Sequence, residues 1–395
     1  MGGDPVLKAS PRHSLGILTA HIEGQPPFLN RDFYRRLCVT GSKAGITVFV
    51  FTARSIDWAG GSVNGYAFDE ERDRWIERRS ALPRSVYDRC FCSNRAQYNE
   101  YRDTIRKLRE HGRVLFLGHG LSCKYEVQRL LERDGRFAGH LPHTEPMHSV
   151  RTVAGWLRQR GEVLLKPRAG SHGRGVLLVQ HRVRAAGGAD APEGTVNAGP
   201  AFTVRGRDAR NRRVERGFAD APALLRWLHR FTAQRRYLLQ QYLLLQTFAG
   251  DAYDVRSLVQ KDGTGRWQVT GMAVRRGQDG SLTANLHGGG RVEPADEFLA
   301  AQFGASASNM IMTKLHELSM QIPEALERRH GRLVELGIDF GIDTQGRIWI
   351  LEVNSKPGRS ILTRLNDNKA RMNGVLNPIR YARFLIRQSP EGILK

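Results

Sequence analysis

Three oxygen-bearing side chains stand out in the stretch GIDFGIDTQGRIWILEVNSKPG. Asp339 lies on one apolar run, and Glu352 and Asn354 lie on the next, after a tight turn at residues 344–346. Two residues apart on one strand, Glu352 and Asn354 point to one face. An Asp, a Glu and an Asn converging there are hard oxygen ligands of the kind Mg2+ takes together with substrate phosphates. The remaining positions of IWILEVN are strongly apolar, so Glu352 sits at the edge of a buried sheet, where a carboxylate needs a cation. A hairpin with a solvated polar face accounts for the same residues without a metal.

A second stretch, LLKPRAGSHGRGVLLV at residues 164–179, ends an apolar strand in Lys166 and opens into a loop carrying Gly170, Ser171, Gly173 and Gly175. Such a loop exposes backbone N–H groups at an entropic cost, and N–H groups with nearby cations converge on phosphate. The pattern is neither a Walker A motif nor the dinucleotide G-x-G-x-x-G. Lys166 precedes the glycines, so it would reach phosphates beneath a loop folding over residues 170–175. A flexible hairpin with a surface lysine is the plainer alternative.

Between these stretches lie YDVRSLVQ, MAVRRG and TANLHGGG. Asp254, Arg256, Arg275 and Asn285 can project from adjacent strands into one cleft, and the arginine fork suits carboxylate or phosphate oxygens. His172 and His287 read as hydrogen-bonding side chains rather than bases. Nothing resembles a Ser/His/Asp or Cys/His arrangement. Cys38, Cys90, Cys92 and Cys123 include only one close pair and no zinc spacing, so they read as structural thiols.

The elements that must hold these residues follow from periodicity. SLGILTA and ITVFVFTA read as buried strands around the helix RDFYRRLCVTGSKAG, and YNEYRDTIRKLREHG precedes a further strand, RVLFLG. This alternation predicts a mostly parallel α/β layer. WAGGSVNGYAFDEERDRWIERR reads as an inserted hairpin turning at Asn64-Gly65. SCKYEVQRLLERDG, VRTVAGWLRQRG and ALLRWLHRFTAQRR read as helices, and LPHTEPMHS as a loop. Residues 182–217, with eight arginines and four acids, read as hairpins or a flap. YLLQQYLLL reads as a strand, and AYDVRSLVQKDGTGRWQVTGMAVRRG as two strands joined at Asp262-Gly263.

The 395 residues carry 61 Lys and Arg against 39 Asp and Glu, a formal charge of +22, and only 10 of the basic residues are lysine. The excess attracts anionic polymers or acidic surfaces. With no run of five like charges, it does not predict a specific nucleic-acid partner. No stretch approaches a membrane span or the apolar core of a signal peptide, which predicts a cytoplasmic protein.

The order of these motifs resembles the ATP-grasp superfamily. LVQKDGTGRWQVTGMAVR, NLHGGG and ELGIDFGIDTQGRIWILEVNSKPGRS are similar to the YheC/YheD endospore coat-associated group. LGILT, YDRCFCSN and SCKYEVQRLL extend the likeness over nearly the whole chain, and the core motifs are also similar to RimK-like ligases. The resemblance implies an ATP-grasp fold of the α/β (α+β) class: an N-terminal α/β domain over 1–120, a lid subdomain over 121–242, and a metal-binding subdomain over 243–395. By the same resemblance, Lys124 and Lys166 meet the ATP phosphates beneath the loop of Gly170, Ser171, Gly173 and Gly175. Gln240, Gln241, Tyr242 and Leu243 form the hinge strand that reads adenine, though many ATP-grasp enzymes carry a glutamate there. Asp339, Glu352 and Asn354 hold two Mg2+ ions, for which Mn2+ can substitute. Arg275 faces the transferring phosphoryl group, with Arg256 and Asn285 completing the site.

The activity implied is that of an ATP-dependent carboxylate–amine ligase acting on a small or peptide carboxylate through an acyl phosphate. Two other classes remain open: a spore-coat protein that binds ATP without turnover, and a binder of nucleic acid or another anionic polymer. A decayed site should have lost one of Asp339, Glu352 or Asn354, and all three are present.

Overall fold

The chain, in the computed structural model that describes residues 13–168, 173–182, 200–277 and 290–388, is organised on three sheets. In the first, Ser14–Thr19 pairs in parallel with Thr47–Thr52 on one side and Ser85–Asp88 on the other, and Ser85–Asp88 pairs in parallel with Leu115–Phe116. Helix Arg31–Lys43 makes the first crossover. Helix Arg95–Glu110 makes the last and is capped by Asn94, whose side chain accepts from the Gln97 amide at 2.9 Å. The parallel layer expected from the alternation is present.

The inserted hairpin is present too, but its turn lies elsewhere. Asn64 and Gly65 sit inside the strand Ser62–Asp69, which pairs with Arg74–Ala81. The chain reverses between them, where Asp69 accepts from the amides of Glu71 and Arg72 and Asp73 takes φ +46°. Gly65 is there for space: a Cβ would lie 2.6 Å from the Phe49 ring. An Asn-Gly pair therefore reported a close approach and not a turn.

The second sheet is antiparallel and orders its strands as Arg213–Phe218, Phe202–Arg207, Leu177–His181, Glu162–Pro167, Tyr237–Gln240 and Thr144–Pro146. Helices Val150–Arg160 and Ala221–Thr232 cover one face through Val153, Trp156, Leu157, Leu224 and Leu228. LPHTEPMHS is thus not wholly loop, because Thr144–Pro146 pairs with Leu238–Gln240. Of the region expected as hairpins or a flap, residues 202–218 form a hairpin and 183–199 lie outside the described residues.

The third sheet is also antiparallel: Arg291–Pro294, Trp267–Arg276, Tyr253–Lys261, Glu335–Ile342 and Ile348–Asn354. The Asp262-Gly263 junction is the connection expected, closed by the amide of Gly265 donating to Asp262 O at 3.1 Å. The turn near residue 346 is likewise present, with Gly346 at φ +79°. One face packs Val255, Val259, Ile338, Phe340 and Ile350 against Leu315, Leu318 and Ile322 of helix Ala305–His330. Each such fully buried aliphatic or aromatic side chain contributes on the order of 1.5–3 kcal/mol. Helix Asn368–Gln388 then crosses back to pack Val375, Ile379 and Leu385 against helix Arg31–Lys43 and the first sheet. Among the described residues, no helix is long and apolar enough to cross a membrane.

Candidate functional site

Alternation along Tyr253–Lys261 sends Tyr253, Val255 and Val259 into the core, and Asp254 and Arg256 to the opposite face. Register then selects their neighbours. Asp254 pairs with Arg275 on one side, Arg256 with Asp339 on the other, and Asp339 with Glu352 beyond it. Four strands thus place five charged side chains on one sheet face. A bulge after Asp339 lets Phe340 and Ile350 return to the core while Glu352 stays on the charged face.

The charges are matched in detail. Arg275 makes a fork on Asp254, with Nε 2.6 Å from Oδ1 and Nη2 2.7 Å from Oδ2, and the same Nη2 lies 3.0 Å from Asp339 Oδ2. Arg256 Nη2 donates to Asp339 Oδ2 at 3.1 Å, and its Nε contacts Asp339 Oδ1. Burial raises Asp254 to about 6 despite the Arg275 guanidinium beside it. Burial works against the charge on Arg275 as well, yet Asp339 and Asp254 hold that guanidinium above its ordinary proton affinity. A buried cation bound to two carboxylates stays charged.

Glu352 finds its cation in Lys124, at the first turn of helix Lys124–Glu132: Nζ lies 2.8 Å from Oε2. Lys166 approaches from the second sheet, half-buried on Glu162–Pro167 opposite Leu238. Burial first, and then the Lys124 ammonium, lower Lys166 to about 8. Among the described residues Lys166 has no carboxylate within 4 Å, so one cation beside the cluster is paired and the other is not.

The start of the glycine loop, including Gly170, Ser171 and His172, lies outside the described residues, as do Asn285 and His287. Its end is defined: Gly173 and Gly175 take φ +67° and +78°, and a Cβ on Gly175 would stand 2.9 Å from Pro167. The hinge departs from expectation. The strand ends at Gln240, and Gln241, Tyr242 and Leu243 leave it as coil. Gln240 turns into the sheet, donating from Nε2 to Thr144 Oγ1 at 2.8 Å, because its neighbours Thr144 and Leu164 bury it. Leu245 follows across the third sheet and occupies the space above Gly341, where a Cβ would be 2.6 Å away.

A second charged cluster escaped the sequence reading. Glu335, on the same strand as Asp339, is fully buried and accepts from Tyr87 Oη at 2.6 Å, Arg89 Nη1 at 2.7 Å, Gln260 Nε2 at 2.9 Å, and Arg359 Nη2. Arg89 Nη2 also donates to Pro357 O at 2.8 Å, and Lys356 Nζ to Asp88 Oδ1 at 2.8 Å. Pro357 rests on the sheet beside Arg256, both within 2.7 Å of where a Cβ on Gly337 would stand. These contacts tie the carboxyl end of Ser85–Asp88 to the segment that follows Asn354. The available signal was Asp88-Arg89 at the carboxyl end of a buried strand, where open α/β sheets collect polar function.

Residues 113–385 match the family described as YheC/D-like ATP-grasp, and the chain belongs to that family. It is 27% identical over 364 residues to the endospore coat-associated protein YheC of Bacillus subtilis (strain 168), covering 92% of this chain and 95% of that one. It is 28% identical over 387 residues to YheD of the same organism, covering 96% and 81%. Among solved structures, D-cycloserine synthetase DcsG superposes with a TM-score of 0.53 at 16% identity, covering 96% of this chain and 100% of that one. D-alanyl-alanine synthetase A from Vibrio cholerae does so with a TM-score of 0.51 at 8% identity, covering 96% and 100%. At these identities the structural likeness is one of fold, and the fold is ATP-grasp.

Proposed function

We propose that the protein is an Mg2+-dependent ligase that uses ATP to join a carboxylate to an amine through an acyl phosphate. The observation that carries this reading is the row Arg256–Asp339–Glu352, in register on three neighbouring strands, with Lys124 and Lys166 converging on it. Asp339, Glu352 and Asn354 suit a hard divalent cation, since the set is all oxygen with no sulfur or imidazole ligand. Bound there with the phosphates, Mg2+ would neutralise charge on the transferring group and help orient it.

The chain's own residues do the rest. Lys166, with no carboxylate partner among the described residues, takes a phosphate oxygen, and Lys124 exchanges Glu352 for another. The coil from Gln241 to Leu243 offers backbone groups to the base. Arg275, locked by Asp254, presents a fixed guanidinium to the phosphoryl oxygens as charge builds on them. A carboxylate oxygen of the substrate attacks the γ-phosphorus and ADP leaves. The amine then attacks the acyl carbon and phosphate leaves, so the balance is acid, amine and ATP to amide, ADP and phosphate. None of these steps needs a protein nucleophile.

The substrates we propose are a small or peptide carboxylate and an amine, with an acidic polymer as the form favoured by the +22 charge. The location we propose is the cytoplasm, with association to the spore coat following from the likeness to the two Bacillus relatives. The test is chemical trapping. Protein, Mg·ATP, pooled acids and hydroxylamine should yield a hydroxamate with one ADP per product. AMP and pyrophosphate instead would mean adenylation and end this reading. Tight ATP and metal binding with no ADP released by any acid would favour a non-catalytic coat protein.

A further inference from the structure

Cys90 and Cys92 flank Phe91 in the segment leaving Ser85–Asp88, and their Sγ atoms lie 3.9 Å apart. Sequence spacing alone reads these thiols as packing groups. Their separation assigns them more, because a movement of about 2 Å brings two such sulfurs to the 2.03–2.05 Å of a disulfide. We propose that Cys90 and Cys92 are a reversible oxidation site, closing to an intrachain disulfide when the protein meets a disulfide oxidant such as oxidised glutathione.

The two thiols divide the work. Cys90 is buried and Cys92 is half-exposed, so an oxidant reaches Cys92 first. The hydrogen bond between the thiols lowers the proton affinity of Cys92, and the Lys356 ammonium adds to this; the same bond, with burial, raises that of Cys90. An attacking thiolate in a partly exposed, electropositive setting is what exchange requires. Cys92 attacks one sulfur of the oxidant and expels a thiolate, leaving a mixed disulfide. The thiolate expelled first takes the Cys90 proton, and Cys90 Sγ attacks Cys92 Sγ, expelling the second thiolate. Two protein thiols are oxidised and one external disulfide is reduced to two thiols. Cys38 is held out of this chemistry by burial, which pushes it up to about 12.

The bond would be felt at the junction beside the site. The Cys90 amide donates to Asp88 Oδ1 at 3.0 Å, and the Cys90 carbonyl accepts from Lys356 Nζ at 2.9 Å. Lys356 stands two residues beyond Asn354 and also holds Asp88. Drawing residues 90–92 into a small ring pulls that carbonyl and amide away from Lys356 and Asp88. Oxidation should therefore lower the midpoint of thermal unfolding by about 2–4 °C.

The experiment treats the full chain with oxidised glutathione, blocks remaining thiols, and reads intact mass, peptide linkage and unfolding midpoint. The expected result is loss of two hydrogens, a peptide linked between Cys90 and Cys92, a lower midpoint, and recovery of all three with dithiothreitol. Cys90→Ser should instead retain glutathione on Cys92. Should that variant fail to fold, Cys92→Ser at the half-exposed position must abolish the two-hydrogen loss. Stable glutathione on wild-type Cys92, full alkylation of both thiols after treatment, or an intermolecular disulfide each overturns the proposal. An unchanged midpoint in the oxidised chain overturns its link to the junction.

Discussion

Lys124 Nζ lies 2.8 Å from Glu352 Oε2, joining the first turn of a helix to the last turn-facing strand of the third sheet across 228 positions of sequence. The residue proposed for phosphate and the residue proposed for metal thus neutralise each other. With side chains 36% and 25% exposed, the pair is accessible enough to be exchanged. On the proposed function, nucleotide and metal would satisfy both partners when they arrive together, whereas either alone would strand one charge.

From this pair we expect Lys124→Met to separate two effects. Divalent affinity without nucleotide should rise, because Glu352 is released, while ATP affinity should fall about tenfold with the loss of one charge-assisted contact. Mn2+ titration followed by spin resonance reads the first and calorimetry the second. A metal affinity equal to wild type would show that the ion pair does not guard the site.

As a proposed phosphate contact, Lys166 should make nucleotide affinity depend on pH. Its folded-state value of about 8 lies below the ordinary lysine range, so the free protein loses this proton as pH rises through 8, earlier than an exposed lysine. Phosphate binds the protonated form and raises its proton affinity. ATP affinity should therefore be flat from pH 6.5 to 7.5 and fall by up to about tenfold per unit above 8. Lys166→Arg keeps the charge at every pH and should remove the fall. If the wild-type profile stays flat to pH 9.5, Lys166 does not meet the phosphates.

Glu335 is the anion on which Arg89 and Arg359 depend. Burial raises its proton affinity, but Arg359 and Arg89 overcome this and hold it below the ordinary value. A carboxylate lowered in this way contributes stability above its unfolded value of about 4.3, and that contribution is lost as pH falls through the lower folded value. Glu335→Leu leaves two buried guanidinium groups without their shared anion and should cost about 3–5 kcal/mol near neutral pH. The deficit should shrink as both proteins are taken below pH 4. Denaturant unfolding across that range checks both parts, and a loss under 1 kcal/mol at pH 7 would contradict the assignment.

Much of this arrangement was legible because it depends on period and on turns. Alternation in IWILEVN located Glu352 and Asn354 on one face, and its apolar positions implied a counter-cation, which the structure supplies as Lys124. What periodicity does not carry is register between distant strands. Nothing local says that Arg256 meets Asp339, or that Glu335 gathers side chains from residues 87, 89 and 359. Gly65 misled for a related reason: the Phe49 ring that demands it comes from another strand. The strand read from YLLQQYLLL runs too long because Tyr242, Leu243, Leu244 and Leu245 continue its apolar character past Gln241, and only pairing with Glu162–Pro167 and Thr144–Pro146 ends it at Gln240.

The basic excess should bind DNA only through its phosphates. Binding should be weak, indifferent to sequence, and lost as salt rises from 50 to 200 mM. Many of the arginines already face carboxylates, as Arg212 does Asp208 at 2.7 Å and Arg54 does Glu100 at 3.1 Å. Anisotropy titrations at several salt concentrations decide this. Sequence-selective binding that survives 200 mM salt would promote nucleic acid to a partner.

Arg275→Lys distinguishes geometry from charge at the centre of the site. The arginine reaches Asp254 with two nitrogens and Asp339 with one of them, a planar arrangement that a single ammonium cannot reproduce. Charge neutrality of the cluster survives the substitution, so the fold should hold within about 1–2 kcal/mol. Lysine also keeps a cation near the phosphates, so ATP affinity should change less than threefold. What should fail is stabilisation of the developing phosphoryl charge, which depends on a donor fixed in place before the reaction; loss of one such donor typically costs 10²–10³ in turnover. Trapped hydroxamate per unit time measures it, with ATP affinity taken on the same sample. If Arg275→Lys retains more than a third of wild-type turnover, the guanidinium is a structural clamp for Asp254 and Asp339, and the group that faces the phosphoryl oxygens must be sought in Arg256 or Lys166.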